Sequence, residues 1–463
     1  MIERIVLFGA SGDLTSRLVM PAVAQLAEAE LLPPQLTIVG SANTDWSTEQ
    51  FREHIAEGLD AHSTAKPAAK DAVVRMLGYE PADVTRAEDV CRVLGDDGPD
   101  TLVYLALPPS LLRGVLTALA AAKLRRSDAV AVEKPFGTDL ESARELNDLL
   151  RVQLPEPTIF RVDHFLSNEL VRRILVLRFL NRVFEPTWNA VHVERVDISW
   201  LESLTLEGRA GYYDGAGAMK DMVQNHLMEV MALVLMEQPA RIDPHSFRGV
   251  RVEALRAVAT PSAETLCSDS VRARYTAGTI GTRQVPSYVD EPGVDPTRNT
   301  ETYASLTLGV NNPRWAGVPF TLRSGKALAA DTAEIAIHYR AMPKYLLDLW
   351  PGVEPNVLRL GLTEPYVRLS TNLNGPDDRA AHQELELMEP ASGRTPYANL
   401  LLGMLHNNPT LFIRGDEAEE AWRIVDPVMK AWAADDVPMQ EYAAGTEPPG
   451  PSARGGRPGD PRS

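Results

Sequence analysis

Residues Gly9-Ala10-Ser11-Gly12-Asp13-Leu14 directly follow an apolar run, Ile5-Val6-Leu7-Phe8. The run reads as a buried strand, and the two glycines as a tight turn into a helix. Such a turn aims backbone N–H groups at a pyrophosphate seated on the helix N-terminus. The chemistry it points to is dinucleotide binding, and hence redox. The spacing is Gly-x-x-Gly instead of the full Gly-x-Gly-x-x-Gly, and a plain structural turn opening a helix has the same form.

The elements that must position this turn follow from apolar periodicity. Residues 14–30 carry Leu18, Val19, Val23 and Leu26 at helical spacing. Short, nearly continuous apolar runs recur at 36–39, 101–107 and 129–132, the last closed by Glu133-Lys134-Pro135. Such runs, separated by helical patterns, mark a parallel sheet covered on both faces. Beyond residue 160 the pattern changes. A helix is expected over 169–181 and another over 221–236. Strands with period-two alternation are expected over 191–200, 334–339 and 366–370. Alternation of that kind marks half-buried, usually antiparallel strands. The expected fold is α/β followed by α+β. A Rossmann-like doubly wound parallel sheet spans 1–160, and a large mainly antiparallel sheet with helices spans 161–444. A Pro-, Gly- and Arg-rich disordered tail is expected over 445–463.

A chain of 463 residues exceeds one ordinary core, in keeping with two domains. The net charge of −17 argues against nucleic acid and anionic membranes as partners. No run of eighteen apolar residues occurs, and the opening Met1 to Gly9 lacks a signal-peptide layout. Cys91 and Cys267 are the two cysteines; they form no ligand spacing, and the nine histidines are scattered. The expectation is a cytoplasmic protein without a metal site.

Further segments stand in order along the chain. They are Tyr104-Leu105-Ala106-Leu107-Pro108-Pro109, Glu133-Lys134-Pro135-Phe136-Gly137, Arg161-Val162-Asp163-His164-Phe165-Leu166 and Asp221-Met222-Val223-Gln224-Asn225-His226-Leu227. Gly325-Lys326-Ala327-Leu328, Arg414-x-Asp416-Glu417 and Ala421-Trp422 follow. Together with the opening turn they resemble the glucose-6-phosphate dehydrogenase family from residue 5 to about residue 440. The resemblance implies oxidation of a cyclic aldose at C1 to a lactone, with hydride passing to a nicotinamide cofactor. It also implies a homodimer or homotetramer.

Such a reaction needs a base for the hemiacetal proton, and imidazole is suited to it near neutrality. The resemblance gives that role to His226, with Asp163 orienting it and Lys134 touching substrate and cofactor. It gives cofactor binding to Gly9, Ala10, Ser11, Gly12, Asp13, Leu14, Asn43, Leu107, Pro108 and Lys134. Substrate binding falls to His164, Asn168, Glu202, Asp221, Lys326 and Asp331. Each has a plainer reading: a satisfied core histidine, a helix N-cap at Asp163, a surface salt bridge at Lys134, solvated carboxylates at Glu202 and Asp221.

Several positions depart from the family pattern. Phe165 and Asn168 stand where a tyrosine and a lysine hold the substrate phosphate, Leu18 replaces a lysine, and Asp331 replaces a basic residue. A sugar-holding glutamine aligns with Gly361. Charge-assisted contacts are worth ~1.5–3 kcal/mol each, so the expected substrate is a hexose lacking the 6-phosphate, neutral or amino-bearing. The alternatives are a conventional NADP-dependent glucose-6-phosphate dehydrogenase and a catalytically silent relative. Asn43 stands where an arginine pairs with the NADP 2′-phosphate, with Asp45 close by. The expected cofactor is therefore NAD, with NADP as the other option. In the latter case Arg52 is the candidate cation.

Overall fold

The computed structural model describes residues 1–450 except 96–97, 123, 167–168, 209, 242, 351, 377–378 and 389–392. Two compact units divide it. The first comprises Met1–Val171, Pro239–Val252 and Ser392–Glu419; the second comprises Arg172–Gln238, Glu253–Ala391 and Glu420–Ser463.

The first unit has strands β1 (Arg4–Phe8), β2 (Thr37–Ser41), β3 (Leu77–Tyr79), β4 (Thr101–Leu105), β5 (Ala129–Glu133) and β6 (Ile159–Val162); the four expected apolar runs are β1, β2, β4 and β5, and β3 and β6 were not among them. They form one parallel sheet in the order β3-β2-β1-β4-β5-β6. This is the doubly wound order, with its reversal between β1 and β4. The helices are α1 (Met20–Glu28), α2 (Thr48–His62), α3 (Pro67–Met76), α4 (Ala87–Leu94), α5 (Pro109–Ala121) and α6 (Leu140–Gln153). Helices α1, α2 and α3 pack against one another, as do α4 with α5 and α5 with α6. The helix expected over 14–30 opens with a wide π-type turn, Thr15–Val19, before α1. Single π turns in helices often sit at functional sites.

Buried side chains close the first unit. Leu7, Ile38, Leu102 and Ala131 on the strands share a core with Leu400, Leu401 and Met404 of the helix Pro396–Leu405. Arg251 and Glu417, 0 % and 1 % exposed as side chains, form a buried ion pair. Arg251 donates through Nε and Nη2 to Glu417 Oε1 at 2.8 and 2.6 Å.

The second unit is built on a nine-stranded sheet. In spatial order its strands are Ala380–Met388, Tyr366–Asn374, Val357–Gly361, Thr332–Tyr339, Val193–Leu201, Phe320–Gly325, Tyr303–Leu308, Ser270–Thr276 and Met439–Ala443. Neighbours are antiparallel except at two pairs: Val193–Leu201 with Phe320–Gly325, and Ser270–Thr276 with Met439–Ala443. The expected alternation survives in Val196 and Ile198, which are buried on either side of the less buried Asp197. The helix expected over 221–236 is in two parts, a wide π-type segment Met219–Leu227 and a regular helix Met228–Leu235. Of the tail expected over 445–463, residues 451–463 lie outside the described residues; Gly445 N donates to Ala327 O, and Thr446 bridges Leu328.

Removing one member of a buried ion pair strands the other and costs about 3–5 kcal/mol. Glu417→Ala is expected to destabilise by that amount in urea or thermal unfolding. The double variant Arg251→Met/Glu417→Leu should recover most of it. A single-variant loss below about 1 kcal/mol would show that water, not protein, surrounds the pair.

Candidate functional site

Within the first unit the expected cofactor residues meet at the carboxyl ends of β1, β2 and β4, where a doubly wound sheet binds its ligand. Gly9 and Ala10 donate their N–H groups to Ser41 O at the end of β2. Gly9 has φ +86°, and a Cβ there would lie 2.1 Å from Ala106 O and 3.3 Å from Leu107 Cδ2. Only glycine fits, so the turn passes directly over the end of β4 beside Leu107 and Pro108. Gly12 N donates to Gly9 O, and Thr15 Oγ1 also bonds Gly9 O, which closes the turn. Thr44 Oγ1 donates to Ser11 Oγ at 3.2 Å, tying the turn to the segment after β2. Asn43 and Asp45 are exposed there. These residues fit a dinucleotide: a backbone cradle with no side chain in its floor, opening onto a helix N-terminus. Arg52 Nε donates to Leu77 O at 3.0 Å, so this guanidinium is already engaged by the backbone. Asp13 forms an exposed ion pair with Arg17 at 3.3 Å.

Two strands further on, Lys134 and Asp163 each follow the last residue of their strand. The register pairs Glu133 of β5 with Val162 of β6, which sets Lys134 and Asp163 on neighbouring strand ends. The Lys134–Pro135 peptide is cis. Asp163 is 1 % exposed, and its Oδ1 accepts from Phe165 N at 2.9 Å. The carboxylate thus holds a tight turn instead of capping a helix at Leu166, since the helix starts only at Glu169. His164 Nδ1 lies 4.0 Å from Asp163 Oδ1. Its ring stacks on Tyr397 at 6.3 Å and meets Phe165 edge-on at 5.1 Å. Phe165 is buried. Asn168 lies outside the described residues.

Sequence reasoning used Glu133 only as part of a motif and passed over Tyr397 altogether. Tyr104 donates its hydroxyl to Glu133 Oε1 at 2.5 Å, and Tyr397 donates to the same oxygen at 3.5 Å. Burial, opposed by the Tyr104 hydrogen bond and reinforced by the Asp163 charge, pushes the Glu133 carboxyl up to about 7. The Tyr104 hydroxyl is raised by burial and by that neighbouring carboxyl. No local periodicity marks Tyr397, which comes from a helix more than 230 residues downstream of His164.

In the second unit His226 lies on the segment Met219–Leu227, 2 % exposed, with its backbone N donating to Asn225 Oδ1 at 2.5 Å. Asp221 stands one turn earlier and accepts from the Tyr212 hydroxyl at 3.2 Å. This segment packs against the strands Val193–Leu201 and Phe320–Gly325. Those strands pair Leu201 with Gly325, so the next residues, Glu202 and Lys326, come together as an ion pair at 2.7 Å. Lys326 Nζ also lies 5.5 Å from the centre of the Tyr213 ring. Glu301 is a further residue that the sequence did not reveal. Its Oε1 accepts from Met219 N at 2.9 Å, at the head of the segment bearing His226. Gly217, φ +69°, has no room for a Cβ because Glu301 Oε1 would be 2.4 Å away.

Two substitutions look different once placed. Asp331 is exposed, and its Oδ1 accepts from Ser203 N at 2.6 Å. That bond orients the carboxylate toward a backbone turn and leaves its negative charge in place. At Gly361 a Cβ would lie 2.2 Å from Glu364 O, so no glutamine could stand there. Gly361 O accepts instead from the Arg173 guanidinium.

Residues 6–173 match the family profile described as glucose-6-phosphate dehydrogenase, NAD binding domain, and residues 175–455 match its C-terminal domain. A relative named glucose-6-phosphate 1-dehydrogenase from Treponema pallidum is 36 % identical, covering 92 % of this chain and 88 % of its own. A glucose-6-phosphate 1-dehydrogenase 2 from Mycobacterium tuberculosis is 37 % identical, covering 92 % and 87 %. A crystal structure of the Mycobacterium avium glucose-6-phosphate 1-dehydrogenase superposes with a TM-score of 0.84 at 34 % identity, over 96 % of this chain and 95 % of that one. A glucose-6-phosphate dehydrogenase in complex with its substrate glucose-6-phosphate gives 0.86 at 29 % identity, over 97 % and 96 %.

The closed turn over β4 yields a direct test. Gly9→Val is expected to weaken NAD and NADP binding at least about tenfold, or ~1.4 kcal/mol, in a fluorescence titration at matched circular dichroism. Unchanged affinity in a folded variant would remove the turn from the dinucleotide site.

Proposed function

Because the chain belongs to the glucose-6-phosphate dehydrogenase family, we propose that it oxidises glucose 6-phosphate at C1 to the lactone, with a nicotinamide cofactor as hydride acceptor. The single observation that carries this reading is the near-full-length likeness to relatives of that name, in a chain that keeps Lys134, Asp163 and His226. The same likeness favours the phosphorylated sugar over the unphosphorylated hexose that Leu18, Phe165, Asn168 and Asp331 imply.

In this reading His226 takes the O1 proton. A buried imidazole on a helical segment is held in one orientation, as a base must be. Asp163 orients that ring and stabilises the imidazolium. Its own orientation is fixed by Phe165 N. Glu202 and Asp221 accept from sugar hydroxyls, since each carboxylate offers several lone pairs. His164 and Lys326 supply cationic character for the phosphate, in place of the missing lysine. The bound cofactor supplies the acceptor for the C1 hydride. Asn43, exposed beyond β2, offers no cation to a 2′-phosphate and supports use of NAD alongside NADP.

The exposed Leu385, Leu387 and Met388 on the edge strand Ala380–Met388 support a homodimer or homotetramer, because an unprotected edge strand invites pairing. Among the described residues no helix is long and apolar enough to cross a membrane.

A substrate panel read by nicotinamide reduction tests the function. The kcat/KM for glucose 6-phosphate should exceed that for glucose and glucosamine by at least about tenfold, or ~1.4 kcal/mol. A neutral or amino sugar that outperforms it would overturn the proposal. His226→Asn should lower kcat about 10²–10⁴-fold, the usual worth of a general base. Asp331→Asn, which keeps the oxygen facing Ser203, should leave KM for glucose 6-phosphate within about twofold, under ~0.5 kcal/mol. A strong KM preference for NADP over NAD would show that a cation other than Asn43's missing arginine reads the 2′-phosphate.

A further inference from the structure

The Glu133 carboxyl is held in a way that the proposed reaction does not account for. It closes β5 immediately before Lys134, and Tyr104 from β4 and Tyr397 from the helix Pro396–Leu405 both donate to its Oε1. Asp163, at the end of β6, acts on it as a neighbouring negative charge, and Lys134 as a positive one. Tyr397 is shared, because its ring also carries the stacked His164 imidazole. Two phenols on one carboxyl oxygen are more than a strand end needs, as a strand ends without any side-chain partner. The groups facing Glu133 are therefore Tyr104, Lys134, Asp163 and Tyr397, with His164 behind the last.

We propose that Glu133 is a positioning residue for the reacting end of the site: clamped by Tyr104 and Tyr397, it shares negative charge with Asp163 and so sets the net charge beside Lys134. Two carboxyls in one low-dielectric setting do not both ionise readily, and the one with poorer solvation keeps its proton longer. Asp163 has a backbone N–H on its carboxylate, a contact that favours the charged form. Glu133, pushed up to about 7 by burial, is the group that changes charge near neutrality. With Glu133 protonated, one negative charge faces Lys134; with Glu133 ionised, two do. The second charge favours a protonated base and so assists the transfer of the O1 proton. Tyr397 carries the same change toward His164, since a phenol donating to a carboxylate is polarised more than one donating to an acid. The inference rests on the proposed roles of Asp163 and Lys134.

The pH profile of kcat/KM for glucose 6-phosphate, from pH ~5.5 to ~9 around the Glu133 and imidazole ionisations, tests it. Wild type should show an acid limb whose slope approaches two, one ionisation for the base and one for Glu133. Glu133→Gln, a permanent mimic of the protonated acid, should reduce the slope to one and lower kcat/KM at the wild-type optimum at least about tenfold. Tyr397→Phe removes a donor that favours the anion, so it should move the second ionisation upward and leave the first in place. Difference infrared spectra of the unliganded enzyme give a readout independent of turnover. A carboxylic-acid band titrating near neutrality should be present in wild type and absent in Glu133→Gln. Should that variant fail to fold, Tyr397→Phe and the wild-type band carry the test. A Glu133→Gln profile identical to wild type, an unmoved ionisation in Tyr397→Phe, or a wild-type enzyme with no such band would each overturn the inference. A wild-type enzyme that oxidises no aldose yet shows the band would instead overturn the functional reading.

Discussion

The first unit depends on how it buries Arg161. This guanidinium is on β6, two residues before Asp163, and it is fully enclosed. A buried cation without partners would cost several kcal/mol, and the chain answers with three separate segments. Arg161 Nε donates to Asn147 Oδ1 of α6 at 3.1 Å, and Nη1 donates to Glu156 Oε1 at 2.8 Å. The same Glu156 oxygen accepts from Arg248 Nη2 at 2.9 Å and from Gly415 N at 3.0 Å. Asn147 returns a bond to Gly415 O at 2.8 Å. A Cβ on Gly415 would lie 2.8 Å from Arg161 Nη2, so the loop can approach only as glycine. One carboxylate oxygen thus joins β6 to two stretches, 239–252 and 392–419, that return to this unit from far along the chain. The position of Asp163 is inherited from that junction.

This explains what the sequence could and could not disclose. Strands β1, β2, β4 and β5 were legible because their runs are nearly continuously apolar and close on Gly or Pro, whereas the three-residue β3 and the Arg161-bearing β6 were not. The glycine turn was legible because a close backbone approach leaves no other residue possible, as at Gly9 over Ala106. The wide turns at Thr15–Val19 and Met219–Leu227 were not, since apolar spacing distinguishes a 3.6-residue period from a strand but barely from a slightly wider helix. Nor were Tyr397 and Glu301, whose partners are 264 and 82 residues away. Contacts at such separations leave no periodic trace.

The substrate side shows a different limit. Alignment set Asp331 where a basic residue reaches the phosphate and Gly361 where a glutamine holds the sugar, and the local geometry at each has its own logic. Asp331 faces Ser203 N, and Gly361 is closed off by Glu364 O. A residue type at an aligned position is informative about binding only when its side chain has room and is not already bonded. Glu202 and Lys326 are placed by the fold itself, because paired strand ends at Leu201 and Gly325 force the next two side chains together as an ion pair, so a ligand there must compete with that pair.

Two buried acids, one in each unit, share a physical logic. Glu133 ends β5 beside Lys134, and Glu301 heads the segment that carries Asp221 and His226; both carboxyls are pushed up to about 7, chiefly by burial. Each accepts from neutral donors, phenols for Glu133 and the Met219 N–H for Glu301. A permanently ionised strut buried in the same place would need a full counter-ion. An acid able to hold its proton avoids that need: it gives directional acceptance while adding little fixed charge, through weaker bonds than an ionised carboxylate would make. Acids of this kind anchor a strand end or the start of a helical segment without a buried counter-ion, so burial and polarity are reconciled through the proton instead of through an ion pair.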